Sequence, residues 1–100
     1  MKPIALLLAA ASFSAPTLAD QALATSRNCM TCHAVDKKLL GPSFKEIAAK
    51  YASDRAAAER LAVKIVKGGG GVWGTSVMPA NPQVSEAEAK RLAAWVLSQK

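Results

Sequence analysis

The fold turns on residues 29–33, Cys29-Met30-Thr31-Cys32-His33, in a chain of 100 residues. A Cys-x-x-Cys-His run is the attachment signature of a c-type haem. Two thiols three positions apart on a helical turn can add to the two vinyl groups of one porphyrin. The next residue, His33, then lies under the iron and can donate an imidazole nitrogen. Rim and proximal face are fixed together, and the expected cofactor is one covalently attached haem c.

Upstream of this run, Lys2 gives a positive start, Ile4 to Phe13 form a short apolar stretch, and Thr17-Leu18-Ala19 offers the small residues that a signal peptidase reads. The apolar run is shorter than the about 20 residues that span a bilayer. Residues 1–19 are therefore expected to be a removed signal peptide, and 20–100 a single domain. The expected location is the periplasm, without stable membrane insertion. That compartment permits a disulfide, but the two cysteines of the chain are better explained by haem.

The net charge is +6, and Lys2 would leave with the leader. No run of five like charges occurs, so a nucleic-acid partner is not expected. The dispersed cations read either as a solvated surface or as a docking face for an acidic protein. A domain this small buries little core by itself and needs a staple. A large flat apolar cofactor is such a staple.

Four short helices are expected. The first covers 21–29 and runs directly into the attachment run. Residues 34–41 form a loop ended by Gly41-Pro42, a breaker pair, and one of Leu39 and Leu40 should face the haem. A second helix covers 43–51, with Ser43 as cap and Phe44, Ile47, Ala48 and Tyr51 on one face. Asp54 caps a third over 55–67, whose inner face is Ala58, Leu61, Ala62 and Ile65. Residues 68–71 are a glycine run that reverses the chain. Pro79 and Pro82 keep 72–83 extended. Ser85 and Glu88 make a capping box for a last helix over 86–98, with Ala89, Leu92, Trp95 and Val96 inward. No strand is expected, and the class is all-α.

His33 is the only histidine, so two imidazoles cannot meet within one chain. Met1 leaves with the leader, and Met30 sits within the attachment run. Met78, in the extended loop before Pro79, remains as sixth ligand. A thioether favours ferrous iron and raises the reduction potential. A filled sixth position removes the site where a substrate would coordinate.

The ordered set Cys29-Met30-Thr31-Cys32-His33, Leu40-Gly41-Pro42, Gly71-Val72-Trp73-Gly74, Met78-Pro79 and Ala94-Trp95-Val96-Leu97 resembles the short monohaem class I cytochromes c of bacteria. The resemblance implies a small fold of four helices wrapped around one haem. It implies that the Pro42 carbonyl accepts the second ring N–H of His33, and that the Trp73 indole and Lys64 bond a haem propionate. Asn81 would hydrogen-bond near the Met78 sulfur. On their own, Pro42 also reads as a turn proline, Trp73 as a core aromatic and Lys64 as a solvated cation.

The expected function is one-electron transfer by a monomeric, non-enzymatic carrier between redox proteins with acidic docking faces. A terminal oxidase, a nitrite reductase or a quinol-oxidising complex would serve. Lys37 and Lys38 are the expected steering residues. The alternative is a haem enzyme or gas sensor whose sixth site opens. A thiol–disulfide protein lacks the βαβ pattern that such sites accompany. A structural zinc site lacks a fourth ligand.

Overall fold

A computed structural model describes residues 18–100. The leader expected over 1–19 lies, up to residue 17, outside the described residues. Among these residues four helices account for most of the order: α1 (Leu18–Ser26), α2 (Phe44–Lys50), α3 (Ala57–Lys67) and α4 (Glu86–Leu97). A 3₁₀ turn, Cys29–Thr31, and a two-residue antiparallel pair, β1 (Gly69–Gly70) with β2 (Val77–Met78), complete it. Among the described residues no helix is long and apolar enough to cross a membrane.

α4 is the hub, and α1, α2 and α3 all pack on it. Its start is set by the expected capping box. Ser85 Oγ accepts from Glu88 N at 3.1 Å, and Glu88 Oε1 accepts from Ser85 N at 3.0 Å, which satisfies two otherwise orphaned donors. Its inner face is Ala89, Leu92, Ala93 and Trp95, all buried. The crossing with α1 is close because Ala24 and Ala93 are small and fully buried. Two ion pairs lock that crossing from outside: Arg27 with Glu88 at 2.7 Å and Arg91 with Asp20 at 2.9 Å.

Three boundaries differ from the sequence expectation. α1 does not run into the attachment run. Asn28 adopts a left-handed conformation, φ 66°, which Asn tolerates better than most residues, and the chain restarts as a 3₁₀ turn. α3 begins at Ala57, because Asp54 accepts from Ala56 N at 3.0 Å and pairs with Arg60. This is a local turn ahead of the helix rather than its cap. The glycine run is not free coil, since Gly69 pairs with Met78 and Gly70 with Val77.

Candidate haem site

The attachment run is held by a tight turn, with His33 N and Cys32 N both donating to Cys29 O at 3.0 and 3.3 Å. The loop after it folds back on the run. Gly41 N donates to Cys32 O at 2.8 Å, and Phe44 N donates to Ala34 O at 2.9 Å. This brings Gly41-Pro42 against the imidazole. A side chain at 41 would put its Cβ 2.6 Å from His33 Cε1, so only glycine fits there.

His33 is 9% exposed. Its Nδ1 lies 2.7 Å from the Pro42 carbonyl oxygen. A carbonyl only accepts, so Nδ1 carries a hydrogen, and in the neutral ring Nε2 is the nitrogen left to bind a metal. A partner of this kind fixes a ligating imidazole in tautomer and orientation and strengthens it as a donor. The bond that the family resemblance implied for Pro42 is therefore present.

One cavity of about 440 Å³ gathers the sequence-expected residues. Cys29, Cys32, His33, Pro42, Lys64, Trp73 and Met78 all line it, among Phe44, Ile47, Leu61, Ile65, Leu92 and Trp95. Leu40 lines it too while remaining 70% exposed at its mouth. Leu39, the other leucine of the pair, does not line it. Lys50 Nζ stands 5.4 Å over the Trp73 ring, a contact that sequence alone did not suggest.

Met78 reaches this cavity from β2, and several contacts bind its loop to the end of α3. Besides the β1–β2 pairing, Asn81 N donates to Val66 O at 3.0 Å. Asn81 Nδ2 donates to Ile65 O at 2.8 Å and lies 3.3 Å from Pro79 O. Its amide therefore ties the Met78 loop to α3 through backbone carbonyls. Asn81 does not line the cavity.

Cys29 and Cys32 form no disulfide. Burial pushes the Cys29 thiol above its ordinary value, outweighing the opposing backbone hydrogen bond. No βαβ unit of the kind that accompanies a thiol–disulfide site surrounds the pair among the described residues. The donor set fits haem instead. Two thiols sit at attachment spacing, an imidazole is oriented by a carbonyl, and a thioether lines the same apolar space. When bound, the porphyrin iron supplies a one-electron couple whose potential is set by its axial ligands and its surroundings.

The comparisons with known proteins agree. The cytochrome c family profile matches residues 19–100. Cytochrome c-551 of Azotobacter vinelandii is 59% identical over 75 residues, which are 75% of this chain and 90% of that protein. Cytochrome c-552 of Hydrogenobacter thermophilus is 47% identical over 94 residues, covering 93% of this chain and 94% of that protein. The crystal structure of wild-type Nitrosomonas europaea cytochrome c552 superposes with a TM-score of 0.78 at 51% identity, over 80% of this chain and 99% of that one. The chain belongs to the cytochrome c family, with the small all-α class I fold, one covalently bound haem c and a role in electron transport.

Proposed function

We propose that this electron carrier holds its iron between His33 Nε2 and Met78 Sδ, and that the filled sixth position makes it a carrier rather than an enzyme or gas sensor. The observation that carries the reading is the 2.7 Å bond from His33 Nδ1 to the Pro42 carbonyl. It leaves a single imidazole nitrogen for the metal, in a cavity that Met78 also lines.

Each remaining residue has a task in this reading. Cys29 and Cys32 form the two thioether links. Trp73 and Lys64 supply donors for a propionate at the cavity rim; an indole N–H is a donor only, and lysine gives a point charge without a guanidinium's fork. The apolar lining excludes water and disfavours the more positive ferric state, which raises the potential.

The leader-like sequence over 1–19 supports export and a periplasmic workplace for the monomer over 20–100. Its partners are redox proteins with acidic docking faces, such as a terminal oxidase, a nitrite reductase or a quinol-oxidising complex. Contact with them is small and brief, as redox encounters are. Carbon monoxide tests the reading. The native ferrous protein should bind it slowly and weakly, and Met78→Ala should bind it quickly. Rapid binding by the native protein would instead favour an enzyme or sensor.

A further inference from the structure

We propose that Gly68 is the steric seat that fixes how near Met78 comes to the iron and so keeps the sixth position closed; this rests on reading Met78 as the sixth ligand. Gly68 ends α3. Its N–H donates to Lys64 O at 2.7 Å, and its backbone sits at φ 78°, ψ 176°, a region essentially restricted to glycine. A Cβ there would lie 2.7 Å from Met78 O, 2.8 Å from Ala80 N and 3.0 Å from the Pro79 carbonyl carbon.

All three contacts are backbone atoms of consecutive residues, so no side-chain rotation relieves them. Any side chain at 68 either lifts the Met78 loop from α3 or unwinds the last turn of α3. The β1–β2 pairing begins one residue later, at Gly69 with Met78, so both outcomes displace the Met78 backbone. Metal–ligand distances hold to within about 0.2 Å, so a shift that clears a Cβ is large for the bond.

The neighbouring glycines show that this is a property of position 68, not of the run. A Cβ at Gly69 would meet the carbon stem of Lys64 at 3.2 Å, and that flexible side chain can move. Gly71 also has a positive φ, +85°, but nothing lies within 4 Å of its would-be Cβ. Gly71 is required by its own backbone alone, whereas Gly68 is required by Met78 as well.

The test uses holoprotein variants, each read well below its melting temperature. The readouts are the weak long-wavelength sulfur-to-iron band of the ferric protein and the carbon monoxide association rate of the ferrous protein. Gly68→Ala is expected to lose most of the band and to approach Met78→Ala in rate. Gly71→Ala is expected to lose stability but keep the native band and the slow rate. A native band in Gly68→Ala, or equal loss in Gly71→Ala, overturns the proposal. Should Gly68→Ala fail to fold, Gly69→Ala decides. It adds a Cβ one residue along, against the movable stem of Lys64 alone, and is expected to keep the band; its loss overturns a seat confined to position 68. A band unchanged in Met78→Ala removes the ligand assignment itself.

Discussion

Phe44 carries the imidazole of His33 on its face, with ring centroids 5.2 Å apart and planes 24° from parallel. Behind it, Phe44 meets Trp95 edge-on at 5.1 Å and 71°. α4 thus supports the histidine through two rings, beside the hydrogen bond that His33 Nδ1 donates to the Pro42 carbonyl. Phe44 is 3% exposed. Phe44→Ala should destabilise the holoprotein by about 3–5 kcal/mol, the usual cost of such a truncation. Chemical unfolding followed by circular dichroism checks this. Phe44→Leu, which keeps most of the volume, should cost much less.

Glu88 joins the start of α4 to the end of α1. Its carboxyl is held down to about 2, first by the hydrogen bond from Arg27 and next by the backbone N–H of Ser85. A carboxyl depressed in the folded state stabilises it above the unfolded value, here 4.5, and that contribution disappears as pH falls towards 2. The melting temperature should therefore fall over that window. In Glu88→Gln the fall should be shallower, with the variant already less stable at pH 7. Parallel slopes for the two proteins would show that other groups govern acid unfolding.

The protein's own core is thin. Among the described residues, alanine accounts for six of the buried hydrophobic ones (Ala24, Ala48, Ala57, Ala62, Ala89 and Ala93), and Leu92 is the largest fully buried side chain. So little apolar volume cannot hold a domain of this size without its staple. The double variant Cys29→Ala, Cys32→Ala, produced without haem, should have little of the helical far-UV signal of the holoprotein. Equal helicity would mean that the chain folds without its cofactor.

Lys37 and Lys38 are exposed just after the attachment run, and the Lys38 backbone bridges to His33. Cations so placed should steer an acidic redox partner to the cavity mouth, where Leu40 is exposed. Reversing both to Glu should lower the association rate at low salt by about 10-fold or more and flatten its salt dependence. Stopped-flow electron exchange at several ionic strengths reads both effects.

Most of the site was legible because its chemistry is local. Cys29, Cys32 and His33 are set by spacing on one turn, and the Ser85–Glu88 capping box is a contact three residues long. Met78, the proposed sixth ligand, was reached by elimination, since the chain has only one histidine. What escaped was non-local. The pairing of Gly69 with Met78 joins glycines, which have no strand preference, to a two-residue partner. The stacking of Phe44 on His33 depends on the loop that Pro42 closes. Asp54 misled because an Asp before a helical pattern can serve a local turn as readily as a cap. Asn28 ended α1 early for a similar reason, since its left-handed backbone is a local preference that helical periodicity does not reveal.

The central claim is an iron held between the imidazole of His33 and the thioether of Met78. The absorption spectrum of the oxidised protein tests it most directly. The weak long-wavelength band of sulfur-ligated ferric haem should be present in the native protein and absent in Met78→Ala. A native ferric protein without that band, or a Met78→Ala protein that retains it, would contradict the account.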